Sequence, residues 1–543
     1  MMIANWMEVC LRRAMIAAVL ALAGTLMAAP AHAEHHARLS ADLADHLSAG
    51  SQTIDVIVHG DAASVAAVAR RYNLRIKKSL KEGAVLSVNA GQLDALRRDD
   101  TQDHLSGDIR IRSIADVTAD VTAQAIGADQ VWDGSDDLPS LTGSGVAVAV
   151  IDSGIDTRHN AFLRNRVIAT HDFTGGDGID QFGHGTHVAG IIAGRRGRTA
   201  ETRDYRGIAS GAYLINLRVL GDDGSGVSSD VIEAIDWAIE HQLEYRIRVI
   251  NLSLGAPVMQ PYRDDPLCEA VERAVKAGIT VVAAAGNFGR TKEGKSVYGA
   301  ITTPGNSPHA LTVGAIDTHG TPERSDDTLA PYSSKGPTRY DLILKPDLSA
   351  PGSHVVSAEG VGTYLSKTYP ERHVAGSGAN AYMQLSGTSM AAGVVSGAVA
   401  LLLEERPNLK PADAKAALQL TSTFVRSAGL IGAGAGELNV LAAASFVGTD
   451  QITSTEVAGE TITASRIAFV DPDQSSVMRQ AAIGWDTSRL GSNSIVWDTA
   501  IVWDTAIVWD TAIVWDTAIV WDTAIVWDTA IVWDTAIVWD TAN

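Results

Sequence analysis

Four short apolar runs, separated by stretches of helical character, constrain the fold more than any other feature of this sequence. The runs occupy 146–151, 213–219, 249–254 and 280–285, and helix-type segments at 229–241 and 266–277 lie between them. A strand that is apolar on both faces must be covered on both sides, and helical connections favour parallel neighbours. The sequence therefore predicts an α/β fold of three layers, with a mostly parallel sheet between helices.

A smaller unit precedes this sheet. Strand patterns at 54–58, 74–80, 84–88 and 109–111 alternate with helix patterns at 63–72 and from 91 onward. This order predicts a compact, ferredoxin-like βαββαβ domain. A stretch rich in Gly, Ser and Pro at 134–145 then leads into the larger domain.

The charge balance argues against two classes of partner. The 543 residues include 43 Lys and Arg against 63 Asp and Glu, a formal net charge of −20. No basic run offsets this excess, so neither a nucleic-acid backbone nor an anionic membrane surface is an expected partner.

Two cysteines, Cys10 and Cys268, are too few for a disulfide framework or a thiolate metal site, so we expect any metal to bind through oxygen. Arg12 and Arg13 precede an apolar run at 14–29, and small residues follow up to Ala33. Residues 1–33 are therefore predicted to be a signal peptide of bacterial type, with the protein secreted or held in the cell envelope. An uncleaved anchor is the alternative, but the run is shorter than the ~20 residues that span a bilayer.

Three separate motifs carry groups suited to catalysis. The first apolar run ends in Asp152-Ser153-Gly154; His184-Gly185-Thr186-His187 opens a helix of small residues; and Ser386-Gly387-Thr388-Ser389 precedes an apolar helix at 394–403. In an α/β sheet, ligand chemistry lies at the carboxyl ends of the strands, where Asp152 is expected. Taken alone, Asp152 could equally hold a cation or a ribose. His184 and His187 could bind a metal, but they lack the usual third ligand.

Together the three groups suit nucleophilic catalysis. A serine hydroxyl such as that of Ser389 is a poor nucleophile at neutral pH and needs an imidazole to accept its proton. His184 can do this, and a buried carboxylate, Asp152, would hold the imidazole in the right tautomer.

These motifs resemble those of the subtilisin-like serine proteases, the subtilase family, over about 125–444. The resemblance implies a serine endopeptidase acting on polypeptides, with catalytic residues Asp152, His184 and Ser389 and no cofactor required for the chemistry. It also implies an oxyanion hole at Asn287, in the Gly-rich segment 283–289. The family usually continues its serine motif with Pro-His-Val, whereas this chain has Gly393-Val394-Val395, and we expect a modest loss of stability.

The resemblance further implies where substrate binds. The expected contacts lie on two backbone segments and one glycine of the pocket: Ser253, Leu254, Gly255, Gly224, Ser225, Gly226 and Gly286. Thr302 or Thr303 would close the pocket, and an apolar or broad side-chain preference is expected. These residues could equally be ordinary turn and packing residues.

Two further expectations follow from the resemblance. Structural calcium could bind the acidic loop that holds Asp172, Asp177 and Asp180, although the spacing matches no calcium loop and a solvated acidic loop is the alternative. Residues 52–114 would be an inhibitory propeptide that occupies the site of a catalytic domain at 123–446. The zymogen would then cleave itself between 111 and 122.

The C-terminal end departs from the family. After a linker at 447–494, the tail at 495–543 repeats Ile-Val-Trp-Asp-Thr-Ala without error through residue 542. A period of six places the same residues on one face of a strand in every copy, which favours β-structure and pairing between molecules. The tail could provide self-association, contact with a cell surface or substrate binding, or it could be a passive appendage. A surface or assembly protein that uses this repeat is the rival to the protease hypothesis.

Overall fold

A computed structural model describes most of the two predicted domains. The described residues are 37–40, 43, 53–99, 101–108, 110–112, 121–135, 138–163, 165–197, 205–469, 495–496, 519–521 and 524–526. The predicted signal peptide at 1–33 lies outside them, as do residues 113–120 of the predicted self-cleavage segment between 111 and 122.

The N-terminal domain is a five-stranded sheet with two helices. Its elements are β1 (Arg38–Leu39), β2 (Ile54–His59), α1 (Ala62–Arg71), β3 (Arg75–Leu80), β4 (Gly83–Val88), α2 (Ala90–Arg97) and β5 (His104–Gly107). The sheet order is β1-β5-β2-β4-β3. From β2 to β5 the chain runs strand, helix, strand, strand, helix, strand, and its own apolar core includes Leu86, Leu93 and Leu105.

The last strand of this domain differs from the prediction. The place beside β2 is taken by His104–Gly107, where Leu105 is fully buried, and not by residues 109–111. Residues Arg110–Arg112 instead form β6, which leaves the domain and pairs antiparallel with a strand of the larger domain. The pattern at 109–111 therefore predicted a strand that largely exists as β6, but this strand pairs with the larger domain and not with β2. The edge strand β1 was not predicted.

The larger domain is built on an eight-stranded sheet. Its first half contains α3 (Thr122–Ala125), α4 (Ala128–Asp133), β7 (Ala147–Asp152), β8 (Val167–Asp172), α5 (His184–Ala193), β9 (Tyr213–Arg218), β10 (Ser225–Val227), α6 (Ser228–Glu240), α7 (Gln242–Tyr245), β11 (Ile247–Leu252), α8 (Pro266–Lys276) and β12 (Thr280–Ala284). Its second half contains β13 (Leu311–Asp317), β14 (Thr328–Leu329), β15 (Leu348–Pro351), β16 (Val355–Ala358), α9 (Tyr364–Thr368), β17 (His373–Ala375), β18 (Tyr382–Leu385), α10 (Thr388–Glu405), α11 (Pro411–Thr421), α12 (Gly429–Ala433) and α13 (Val440–Thr449). Short 3₁₀ turns lie at Asn160–Phe162, Tyr262–Asp264, Pro370–Arg372 and Gly378–Asn380.

The sheet order is β14-β13-β12-β11-β7-β9-β8, with β15 also on β13. Every one of these pairings is parallel except that of β13 with β14. This agrees with the predicted mostly parallel sheet. Alternate residues of β7 show the three layers, since Val148 and Val150 join the core that contains α10, whereas Ala149 and Ile151 join the core that contains α6 and α8.

The helix α10 runs through the middle of the larger domain. By length and composition it could cross a membrane, but 89% of it is buried inside the fold. The continuous apolar character of α10 is therefore that of a core helix, buried on every side.

The folded domain extends past the predicted boundary at 446. Helix α13 ends at Thr449, and it is followed by the hairpin of β19 (Thr455–Val457) and β20 (Glu460–Ile462) and by β21 (Ile467–Ala468). Val457 and Ala468 are fully buried, so residues up to 469 belong to this domain and not to a linker.

Little of the tail is described. The described pieces are β22 (Ile495–Val496), parallel to β21, and the antiparallel pair β23 (Ile519–Trp521) and β24 (Ala524–Val526). The rest of the predicted linker and of the repeat lies outside the described residues.

The N-terminal domain lies with its sheet against α6 and α8. Ile57 and Val85 join the apolar core that contains those two helices. Around this small apolar contact the Lys78 ammonium pairs with Asp230 and, at 3.1 Å, with Glu233. The interface is therefore partly apolar and partly ionic.

Candidate active site

The site begins at the carboxyl end of β7, where Asp152 is fully buried. His184 is the first residue of α5, and its Nδ1 lies 2.8 Å from Asp152 Oδ1 and 3.0 Å from Oδ2. The backbone N–H of Ser153 also donates to Asp152 Oδ1 at 2.7 Å. The predicted contact between this carboxylate and this imidazole is thus present, and both groups are shielded from water.

The carboxylate sets the protonation behaviour of the imidazole. Burial alone lowers the pKa of His184, but the charge and hydrogen bond of Asp152 outweigh it and raise that pKa above its ordinary value. His184 Nε2 is buried and has no hydrogen-bond partner within the described part of the chain. The basic end of the ring is therefore left available for a group that enters the site.

Ser389 lies in the first turn of α10, as predicted. Its hydroxyl donates to the backbone oxygen of Ser253 at 3.0 Å, and the Ser253 hydroxyl donates back to the backbone oxygen of Ser389 at 2.8 Å. The structure therefore brings Ser389 to the same end of the sheet without a hydrogen bond to His184. Such bonds are often long or misaligned in the absence of substrate.

Asn287 follows β12 and is fixed by the start of α10. Its Oδ1 accepts from the backbone N–H of Thr388 and from the Thr388 hydroxyl, both at 3.0 Å. Because both contacts use the oxygen, the orientation of the amide is determined and its NH₂ end faces the other way. This places a side-chain donor close to the N-terminus of the helix that carries Ser389.

The two glycines of the predicted pocket lie against one threonine. A Cβ on Gly286 would lie 2.7 Å from Thr302 Cγ2, and a Cβ on Gly255 would lie 2.6 Å from Thr302 Oγ1. Gly286 also has a φ of +105°, which disfavours other residues. Ser253 and Leu254 are buried, so of that predicted segment Gly255 is the one with a partly exposed surface.

The segment Gly224–Gly226 forms an edge that already holds a peptide strand. In β10, Ser225 lies opposite Arg112, Gly226 opposite Ile111 and Val227 opposite Arg110. A Cβ on Gly224 would lie 2.5 Å from the ring of Phe182, and one on Gly226 would lie 2.4 Å from the backbone oxygen of Val219. The small residues therefore allow this edge to lie close to its neighbours.

Asp180 is a buried acid that supports the loop before His184. The sequence had suggested it only as a candidate calcium ligand. Asp180 Oδ1 accepts from the Ser153 hydroxyl at 2.9 Å and from the backbone N–H of Gly183 at 2.7 Å. Its Oδ2 accepts from Thr186 through the backbone N–H at 2.9 Å and the hydroxyl at 2.6 Å. Burial raises its pKa to about 6 despite these donors. Asp180 thus ties the loop after β7 to the first turn of α5, and its position just before His184 was the available signal.

The other two acids of that loop are also engaged by protein donors. Asp172 accepts from Thr174 and from the backbone N–H of Gly178, while Asp177 accepts from the backbone N–H of Ile179. The calcium site at these residues stays a prediction.

His187 lies one turn further along α5 and contacts β18. Its Nε2 lies 3.1 Å from the backbone oxygen of Met383, and burial lowers its pKa to about 3. In the described part of the chain His187 therefore shares no metal site with His184.

Comparison with known proteins identifies the class. Residues 143–453, more than half of the chain, match the family described as "Peptidase S8: Subtilase family". The chain therefore belongs to the subtilase family, whose members are serine-type endopeptidases.

Individual relatives agree. The chain is 37% identical to "Serine protease AprX" of Bacillus subtilis (strain 168) over 287 residues, which are 52% of this chain and 62% of that protein, less than two thirds of its length. It is 33% identical to "Subtilisin DY" of Bacillus licheniformis over 304 residues, 56% of this chain and 92% of that protein. The solved structure of fervidolysin from Fervidobacterium pennivorans, a keratinolytic enzyme related to subtilisin, matches with a TM-score of 0.60 and 21% identity, covering 81% of this chain and 66% of that one. This last likeness supports the fold alone.

Proposed function

We propose that this chain is an exported serine endopeptidase that is made as a self-processing zymogen, and that Asp152, His184 and Ser389 are its catalytic residues. The observation that carries the proposal is the buried ion pair of Asp152 with His184, whose Nε2 has no protein partner among the described residues. This ring is oriented by a carboxylate and has its basic nitrogen free, as a general base requires.

The first chemical step is attack of the serine on a peptide bond. Rotation of the Ser389 side chain away from Ser253 would bring its hydroxyl toward His184 Nε2, which accepts the proton as Oγ attacks the carbonyl carbon. Asp152 stabilises the resulting imidazolium, consistent with the raised pKa of His184. His184 then donates the proton to the departing amine, which leaves an acyl-enzyme.

The oxygen of the tetrahedral intermediate requires fixed hydrogen-bond donors. We assign this role to the Asn287 side chain and the backbone N–H of Ser389, at the positive end of the 18-residue helix α10. Thr388 holds the oxygen of the amide, so the donor end is preorganised. Water then attacks the acyl carbon while His184 accepts its proton, and His184 returns that proton to Ser389 Oγ as the acyl–oxygen bond breaks and the acid product leaves.

We assign substrate binding to the strand edge at Gly224–Gly226 and to Gly255 and Gly286. A peptide that adds as a strand bonds through its backbone, which gives affinity without regard to sequence. The pairing of Arg110–Arg112 with this edge supports both that assignment and a propeptide at 52–114 that enters the substrate groove. No cofactor is required in this chemistry, while calcium at the acidic loop and a role for the repeat tail in self-association or cell-surface contact stay predictions.

The test compares the full chain with its Ser389→Ala variant. The unaltered chain should lose its first ~110 residues by cleavage between 111 and 122 and should hydrolyse casein, as mass spectrometry, N-terminal sequencing and a peptidase assay would show. Ser389→Ala should remain uncut in that segment and lose about 10⁶-fold in rate. Ser366→Ala is the matched control, because among the described residues the Ser366 hydroxyl hydrogen-bonds to Thr363, and the variant should leave both readouts unchanged.

The contrary result is equally plain. If Ser389→Ala and the unaltered chain release the same fragment at the same rate and neither cleaves casein, Ser389 is not the nucleophile and the protease proposal fails.

A further inference from the structure

Three metal-ligand side chains meet where the N-terminal domain contacts the larger domain. His59 ends β2 and His104 begins β5, while Glu269 lies in the first turn of α8. One ligand atom from each lies within 4.8 Å of the other two. Two ligands thus come from the proposed propeptide and one from the catalytic domain.

The fold determines this convergence. β2 and β5 run antiparallel with Val56 opposite Gly107 and Ile57 opposite Ser106, so the register places His59 opposite His104. Docking of the N-terminal sheet on α8 then brings Glu269 to the pair, with Oε2 at 3.3 Å from His59 Nδ1 and Oε1 at 3.9 Å from His104 Nε2.

The separation of the two Nε2 atoms suits a small tetrahedral ion, and Glu269 Oε1 lies 3.9 Å from that of His104. The Nε2 atoms of His59 and His104 are 3.1 Å apart. Two nitrogens bound tetrahedrally to Zn²⁺ at about 2.0–2.1 Å lie about 3.3 Å from each other. Two histidines and one glutamate form a common zinc ligand set, with water as the fourth ligand. The side chains are 14–29% exposed, so an ion and its water could reach them.

The electrostatics of the cluster also favour a cation. Glu269 supplies one carboxylate beside two imidazoles, a ligand set that attracts a divalent cation. Arg273, one turn further along α8, is paired with Asp236 at 3.0 Å and with Glu82 at 3.4 Å.

We propose that His59, His104 and Glu269 bind one Zn²⁺ ion, and that this ion fastens the N-terminal domain to the catalytic domain. The metal site follows from the cluster itself, whereas its effect on enzyme release rests on the proposed function of residues 52–114 as a propeptide. Removing either partner removes at least one ligand, so the ion would bind the docked state and slow its separation.

The first experiment measures the site without any proteolysis. The full chain with Ser389→Ala is titrated with Zn²⁺ by calorimetry and with Co²⁺ by visible absorption. We expect one equivalent to bind with a tetrahedral Co²⁺ spectrum, and His104→Gln or Glu269→Gln to lower the affinity by at least 10- to 100-fold. One matched control is Glu272→Gln, on the next turn of α8. The other is the double variant His35→Ala/His36→Ala, which removes two consecutive histidines near the N-terminus. Both controls should bind Zn²⁺ as the parent chain does. Failure to bind one equivalent, or equal binding in the ligand variants, would overturn the metal site.

The second experiment follows separation of the cleaved N-terminal domain from the chain with an intact Ser389. Added Zn²⁺ should slow its release about tenfold, which corresponds to about 1.4 kcal/mol, and should have no effect in Glu269→Gln. If Zn²⁺ binds but release is equally fast in both chains, the fastening role is overturned. If the chain never cleaves itself, the zymogen proposal fails, and the titration of the Ser389→Ala chain still decides the metal site.

Discussion

The helix α10 and the docking face of the N-terminal domain are held in place by different forces. Residues Thr388 to Leu403 of α10 are all buried, mostly against apolar side chains of neighbouring helices and strands. The docking face contributes Ile57 and Val85, with Leu80 packed beside them, and also depends on polar pairs such as Lys78 with Glu233. Contacts of the second kind resemble transient interfaces, which separate without loss of either partner's core. The contrast suits the proposed role of residues 52–114 as a propeptide that leaves a catalytic domain which stays folded.

The largest effect is expected where a charge is buried in the permanent part. Asp152→Asn should lower kcat about 10⁴-fold, because the amide cannot hold His184 in the required tautomer. Loss of the negative charge also leaves burial as the dominant influence, so the pKa of His184 should fall. Since the base must be neutral, the acidic limb of the kcat/KM profile should move to lower pH.

Steady-state kinetics on a peptide substrate across pH would check both effects. Asp156→Asn is the control, because that carboxylate pairs with Arg158 and does not contact His184. If the acidic limb of the pH profile does not move in Asp152→Asn, the group that titrates there is not His184.

The core helix supplies a second test, with two glycines on one element. A Cβ on Gly397 would lie 2.6 Å from Ile208 Cβ, whereas one on Gly393 would lie 3.3 Å from Ile191 Cγ2. Gly397→Ala should therefore destabilise the fold by about 1–3 kcal/mol through overpacking. Gly393→Ala should change stability by less than about 1 kcal/mol, because better helix propensity offsets the tight contact.

Denaturant unfolding of both variants in the Ser389→Ala background would measure this difference. If Gly397→Ala lowers the free energy of unfolding no more than Gly393→Ala does, α10 is less closely packed than its burial indicates. At Gly393 the tight contact with α5 and the low helix propensity of glycine therefore act on stability in opposite directions.

The sequence predicted the strands of the large sheet because they are apolar on both faces. Residues 280–285 became β12 at Thr280–Ala284, and 146–151 became β7 at Ala147–Asp152, where the carboxyl end carries Asp152. The contact with His184 followed, since catalytic groups collect at that end of a parallel sheet.

Other features depend on distances that no local pattern contains. The Ser389 hydroxyl, for example, donates to the backbone oxygen of Ser253, which is 136 residues away in the chain. The approach of His59 to Glu269, at 3.3 Å, exists only because one domain docks on the other. Alternation in sequence reports burial, whereas these contacts depend on how whole elements pack.

At the docking face, the largest single effect should come from Asp108. Its carboxylate accepts from the backbone N–H and hydroxyl of Ser229 at 3.0 and 2.9 Å, and so caps α6, whose own N-cap residue Val227 has no side-chain acceptor. Asp108→Ala should cost about 1–2 kcal/mol and speed release of the cleaved N-terminal domain about 5- to 30-fold. The activity of the released enzyme should not change.

Release can be followed by the appearance of peptidase activity after processing. Asp94→Ala is the matched control, because Asp94 pairs with Arg98 inside the N-terminal domain. If both variants release at the unaltered rate, the cap on α6 does not contribute to docking.

The smallest effect, and the one that most directly tests the ionic half of the contrast, should come from Lys78→Gln. The Lys78 side chain is 22% exposed and reaches both Asp230 and Glu233, so each pair should contribute about 0.2–1 kcal/mol. Release should be about two- to fivefold faster at low salt and unchanged at 1 M salt, where screening acts over about 3 Å. Lys77→Gln is the neighbouring control, since Lys77 pairs with Asp55 of its own domain. An effect of Lys78→Gln that persists at 1 M salt would mean that its aliphatic stem, and not its charge, holds the domain, and the docking face would then resemble the core more than the present contacts indicate.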